Sequence, residues 1–83
     1  MPTRILVVDD EPDMLRLLKR SLELELECRV DTTPSAQVAM QMLSQTSYDL
    51  LLADIKMPVM SGLELLAIIK NDIPDLTVVM MTA

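Results

Sequence analysis

Apolar residues run almost without interruption at 5–8, 50–53 and 76–81 of the 83-residue chain. Runs of this length without regular polar alternation are typical of strands that are covered on both faces, as in a parallel sheet. Residues 28–32 alternate instead between apolar and polar side chains, which predicts an edge strand with one solvated side. The pattern therefore predicts four strands, of which the second lies at an edge and the first and third are central.

Helical spacing of apolar residues fills the segments between these strands. Pro12 suits the first position of a helix, and Thr33 is expected to cap a second helix with Pro34 in its first turn. Ser61 and Glu64 have the spacing of a capping box, which predicts the start of a third helix. The faces expected to pack on the sheet are Leu15, Leu18, Leu22 and Leu26; Ala36, Ala39, Met40 and Leu43; and Leu65, Ile68 and Ile69.

Strict alternation of strand and helix predicts an α/β fold with right-handed crossovers and a parallel sheet. The edge character of the second strand favours the order 2-1-3-4. Residues 1–83 are enough for one small domain, with no internal linker or low-complexity segment.

Acidic residues follow two of the predicted strands directly. Asp9 and Asp10 come after the first, and Asp54 ends the third. Ligands of open α/β sheets bind at the carboxyl edge, where these carboxylates are expected to meet. They would repel one another unless a cation lay among them, so a divalent metal site beside a reactive aspartate is predicted. The alternative for Asp9 and Asp10 is an acidic turn that favours the dipole of the following helix.

Composition excludes several other classes. Hydrophobic residues make up 51% of the chain, which argues against a disordered acidic tail. A net charge of −6 and a single aromatic residue argue against direct nucleic-acid binding. The only cysteine, Cys28, has no partner for an internal disulfide, and no apolar run has the length of a signal peptide or membrane span. We expect a cytoplasmic protein that does not associate with membranes.

Taken together, the motifs resemble the receiver domain of two-component response regulators, which has a flavodoxin-like fold. The resemblance covers the whole chain and is carried by Asp9-Asp10, Asp54, Lys56-Met57-Pro58, Gly62 and Thr82-Ala83. It implies a signalling module that is not an enzyme, a sensor histidine kinase as partner, and a C-terminal effector region in the parent protein.

The resemblance also implies a role for each site residue. Asp54 corresponds to the phosphoryl acceptor, and Asp9 and Asp10 to the acidic pair that holds Mg²⁺ together with Asp54. The main-chain carbonyl of Lys56 would be a further metal ligand, and Thr82 corresponds to the switch hydroxyl. A carboxylate is a competent nucleophile for forming an acyl phosphate, and Mg²⁺ prefers oxygen ligands.

One departure from the family leaves alternatives open. Receivers have a fifth βα unit with a lysine at the strand end, and no such unit follows Thr82, so we expect a receiver that is incomplete at its C-terminus. An interaction module without phosphotransfer, self-associating through the exposed fourth strand, is one alternative. A phosphohydrolase is another, but it would need a second acid where this chain has Lys56.

Overall fold

A computed structural model describes residues 2–57 and 60–81. Within these residues it contains a four-stranded parallel sheet and three helices. The elements are β1 (Thr3–Val8), α1 (Pro12–Glu25), β2 (Cys28–Thr33), α2 (Ala36–Gln45), β3 (Leu50–Asp54), α3 (Gly62–Asp72) and β4 (Thr77–Met81). The strand order is β2-β1-β3-β4, which confirms the predicted α/β class and the order 2-1-3-4.

The core forms two layers, one on each face of the sheet. Alternate residues of β1 enter different layers: Ile5 and Val7 join the cluster under α1, and Leu6 and Val8 join the cluster under α2 and α3. Since side chains of a strand point alternately to opposite faces, both layers need apolar residues from the same strand. This explains why residues 5–8 are apolar without interruption.

Two details of the helices differ from the sequence expectation. Ser35, not Thr33, caps α2, and its hydroxyl accepts the N–H of Val38 at 3.3 Å. Thr33 is instead the last residue of β2, because pairing with β1 continues to that position. Helix α1 ends at Glu25, so Leu26 has extended backbone and is mostly exposed rather than part of the buried face.

The strand register places the carboxyl ends of β1, β2 and β3 next to one another at one edge of the sheet. Val8 lies opposite Thr33 on one side and opposite Ala53 on the other. Asp9 and Asp54 each follow one of these aligned residues, so their side chains start from neighbouring points on the same edge. In the described part of the chain, no helix is long and apolar enough to cross a membrane.

Candidate functional site

Three carboxylates meet at the carboxyl edge of the sheet. Asp9 and Asp10 follow β1, and Asp54 ends β3. One carboxylate oxygen from each residue lies within 4.8 Å of the other two. Asp9 and Asp54 are buried, with 6% and 8% of their surface exposed, while Asp10 is exposed. The cluster therefore consists of two buried acids and one acid on its solvent-exposed side.

The two buried acids are oriented in the same way by the backbone. Oδ1 of Asp9 accepts the N–H of Glu11 at 2.9 Å, and Oδ1 of Asp54 accepts the N–H of Lys56 at 3.1 Å. In both cases an aspartate accepts a hydrogen bond from the residue two positions on, which is the local turn that aspartate favours. Each carboxylate is thus held at the point where its strand turns into a loop.

Electrostatics at the cluster favour any group that removes negative charge. Burial raises the pKa of Asp9 above its usual range, and the charges of Asp54 and Asp10 raise it further. The N–H of Glu11 opposes these effects because it stabilises the ionised form. Without a counter-charge, repulsion within the ionised cluster destabilises the folded state. A cation bound among the three acids would offset this repulsion.

The donor set fits Mg²⁺ better than a metal that prefers nitrogen or sulfur ligands. All three side chains supply carboxylate oxygens, and the sequence has no histidine. Two oxygens bound to one octahedral Mg²⁺ are at most about 4.2 Å apart, so the three side chains, whose oxygens lie within 4.8 Å of one another, would draw closer together to share one ion. An exposed acid on one side also suits an ion that retains several waters.

The described residues of the loop after β3 are attached to the core. Met57 and Met60 pack against the cluster under α2 and α3. Ser61 then caps α3, since its hydroxyl accepts the N–H of Glu64 at 3.1 Å. This anchoring fixes the path of the backbone beside Asp54. Pro58 and the predicted switch residue Thr82 lie outside the described residues, and the role of the Lys56 carbonyl stays a prediction.

Sequence reasoning missed the part that Thr33 plays at this edge. Its side chain is buried, and its carbonyl accepts the N–H of Asp9 at 3.2 Å, which fixes the backbone of an acidic residue. Its hydroxyl accepts the N–H of Ser35 at 3.3 Å. The only sequence signal was that Thr33 directly follows the alternating segment 28–32. Because threonine is also a good helix-capping residue, the sequence favoured a cap instead.

A cavity of about 320 Å³ lies at the other end of the domain. It is lined by residues near the C-terminal ends of α2 and α3, among them Leu43, Ser44, Asp72 and Ile73. Helices that connect parallel strands return to the amino edge of the sheet, so this cavity is separate from the acidic cluster.

Comparisons with known proteins agree with the fold and identify the family. The family model described as the response regulator receiver domain matches residues 5–83. The two-component response regulator ORR21 of Oryza sativa subsp. indica is 42% identical over 84 residues, which cover 96% of this chain and 12% of that protein. The chain therefore spans only about an eighth of the length of this relative.

Solved structures give the same result. The response regulator protein TrrA of Thermotoga maritima, in complex with Mg²⁺-BeF, is 40% identical with a TM-score of 0.93, covering 98% of this chain and 70% of that one. The same regulator in complex with the histidine kinase ThkA gives a TM-score of 0.91 at 40% identity, covering 98% and 69%. With a family match over 5–83 and the strand order 2-1-3-4, this chain belongs to the response regulator receiver domain family of two-component signal transduction.

Proposed function

We propose that Asp54 accepts a phosphoryl group from a phosphohistidine of a sensor kinase, with Mg²⁺ held by Asp9, Asp10 and Asp54. The observation that carries the proposal is the convergence of three carboxylate oxygens within 4.8 Å at the end of β1 and β3. Asp54 is proposed as the acceptor because it is the residue that corresponds to the phosphoryl acceptor of the family; it ends a central strand, and its Oδ1 is held by the N–H of Lys56.

In the transfer step, a carboxylate oxygen of Asp54 forms a bond to phosphorus as the phosphorus–nitrogen bond of the phosphohistidine breaks. The histidine nitrogen keeps the electron pair of that bond and takes up a proton, and the product on this chain is an acyl phosphate. The hydrogen bond from Lys56 to Oδ1 holds the carboxylate in one orientation during the attack. Orientation of the nucleophile is a principal contribution of a protein to phosphoryl transfer.

Asp9 and Asp10 hold the ion, and the main-chain carbonyl of Lys56 is proposed as a further ligand. When bound, Mg²⁺ neutralises negative charge that would repel the incoming phosphoryl group. Glu11 holds Asp9 in position through its N–H. Thr82 keeps its proposed role as the switch hydroxyl that responds to the phosphoryl group.

The named neighbours support the partner and the ion. TrrA has been solved with Mg²⁺-BeF and with the histidine kinase ThkA, and it is 40% identical to this chain. The much greater length of the plant relative supports an effector region in the parent protein. A cytoplasmic location goes with this proposal, since a single cysteine suits a reducing compartment.

Intact-mass spectrometry after incubation with a small acyl phosphate tests this function. We expect one added phosphoryl group with Mg²⁺, and none with a chelator or in Asp54→Asn. Asp75→Asn is the matched control, because it makes the same charge change at an exposed residue of the turn before β4. Equal labelling of the Asp54→Asn protein would show that the acceptor is another residue.

The exposed edge of β4 supports a second candidate, an interaction module that self-associates without phosphotransfer. Within residues 2–57 and 60–81, β4 pairs only with β3, and Val79 is 44% exposed. An apolar strand edge with unpaired backbone groups invites pairing with another strand. Sedimentation velocity would separate the candidates: we expect association that Val79→Lys weakens, and a monomer at all concentrations would exclude this module.

A further inference from the structure

The opposite edge of the sheet, formed by β2, is covered by two side chains of α1. The N–H of Val30 donates to Oε2 of Glu23 at 3.0 Å, and the carbonyl of Val30 accepts from Nζ of Lys19 at 2.6 Å. Nζ of Lys19 and Oε2 of Glu23 are 3.5 Å apart. The two side chains therefore occupy both backbone hydrogen-bonding groups of one residue, and they also pair with each other.

These groups are the ones that a further strand would use. Among the described strands, β2 pairs only with β1, so its outer side is an edge. Both backbone groups of a given residue in a parallel strand face the same neighbour, and residues alternate between the two sides. Cys28 and Thr32 therefore share the outer side with Val30. The N–H of Cys28 is already bonded to the carbonyl of Leu26 at 2.9 Å.

An ordinary surface ion pair does not explain this arrangement. The side chains of Lys19 and Glu23 are 47% and 36% exposed, and an exposed pair four residues apart on a helix contributes little to stability. The contacts with the backbone are what set this pair apart. Both hydrogen bonds involve a charged side chain and are partly buried, which makes them stronger than neutral exposed ones.

We infer that Lys19 and Glu23 close the β2 edge against pairing with β2 of a second copy of this chain. Parallel sheets leave unpaired backbone groups at both edges, and proteins prevent edge-to-edge association with charged side chains at those positions. Here the charges come from a neighbouring helix and bind the backbone groups directly. Strand addition to this sheet is therefore directed away from β2.

Amide hydrogen exchange at Val30 is the first test. In Glu23→Ala the N–H of Val30 loses its acceptor, so we expect about tenfold faster exchange at that amide. Glu23→Gln retains an acceptor oxygen and should keep most of the protection. Glu25→Ala removes the same charge from an exposed position of the same helix and is the matched control. Unchanged exchange at Val30 in Glu23→Ala would overturn the contact on which the inference rests.

The second test measures association. We expect the double variant Lys19→Ala, Glu23→Ala to self-associate more than the wild type in sedimentation velocity, with Val30 and Thr32 amides exchanging more slowly as concentration rises. The control is Arg20→Ala, Glu25→Ala, which makes the same charge change at exposed positions. Association through β4 would leave these β2 amides independent of concentration.

Lys19→Met guards against a folding defect in the double variant. It removes the donor to the Val30 carbonyl while keeping an apolar stem of similar length. We expect this variant to self-associate through β2 more than the wild type but less than the double variant. Either variant behaving as the wild type, with concentration-independent exchange at Val30, would contradict the inference.

Discussion

Replacing Asp9 by asparagine should stabilise this domain in the absence of Mg²⁺ and should remove most of the stabilisation that Mg²⁺ gives. Asparagine retains the oxygen that accepts the N–H of Glu11, so the local turn is preserved and only the charge is removed. The carboxylate oxygens of Asp9 and Asp54 lie within 4.8 Å. At that distance two unit charges repel by about 0.9 kcal/mol in water and about 3.5 kcal/mol at an effective dielectric constant of 20.

Both acids are buried, so the repulsion removed by Asp9→Asn should lie between these limits. Without metal, the free energy of unfolding should therefore rise by roughly 1–3 kcal/mol. With Mg²⁺ at a hundredfold above its Kd, the wild type should gain about 2.7 kcal/mol from the ion. The variant should lose most of that gain because one metal ligand no longer carries charge. Asp9→Asn is therefore expected to be more stable than the wild type in a chelator and to respond weakly to Mg²⁺.

Urea unfolding at pH 7 measures this effect. With a slope of about 1 kcal/mol per M for a small protein, the midpoint in chelator should rise by roughly 1–3 M in Asp9→Asn. Asp75→Asn makes the same change in net charge at an exposed residue and should leave both the midpoint and the Mg²⁺ response near wild type. A chelator midpoint for Asp9→Asn equal to that of the control would refute the repulsion argument.

Three further predictions concern the scaffold. Burial and a hydrogen bond to Asp31 at 2.6 Å raise the pKa of Tyr48 to about 12, so the folded state holds the phenolic proton more tightly than the unfolded state. Stability should thus be intact below about pH 10 and fall towards pH 12, by at most about 3 kcal/mol, with a smaller fall in Tyr48→Phe by circular dichroism. Ser61→Ala removes the cap of α3 and should cost about 1 kcal/mol in urea unfolding; no change would show that the cap is dispensable. Leu65→Ala, at a fully buried position, should cost about 3 kcal/mol, whereas Leu63→Ala, 58% exposed on the same helix, should cost under about 1 kcal/mol; equal losses would contradict the assigned face.

Much of the fold and of the acidic cluster could be predicted because a residue that directly follows a strand of a parallel sheet lies at a known edge of that sheet. An uninterrupted, largely β-branched apolar run such as residues 5–8 is typical of a strand covered on both faces, and an acid directly after such a strand of a parallel sheet lies at the carboxyl edge. The convergence of Asp9 and Asp54 follows from these two facts and from the strand order.

Details that depend on where pairing stops could not be predicted. Thr33 and Ser35 are both good capping residues, and only the pairing of Thr33 with β1 decides between them. Leu26 continues the helical spacing of α1, but Cys28 begins β2 two residues later and the helix must end before it. The contacts of Lys19 and Glu23 with Val30 are equally hidden, since their spacing is that of any solvent-exposed helical ion pair.

Phosphoryl transfer to Asp54 is tested most directly by locating the phosphoryl group after incubation with a phosphorylated histidine kinase and Mg²⁺. Borohydride reduces an acyl phosphate of aspartate to homoserine, which peptide mass spectrometry identifies at a single residue. The proposed mechanism predicts homoserine at position 54, dependent on Mg²⁺ and much reduced in Asp9→Asn. Homoserine at another aspartate, or none under conditions in which the kinase phosphorylates a second receiver, would contradict it.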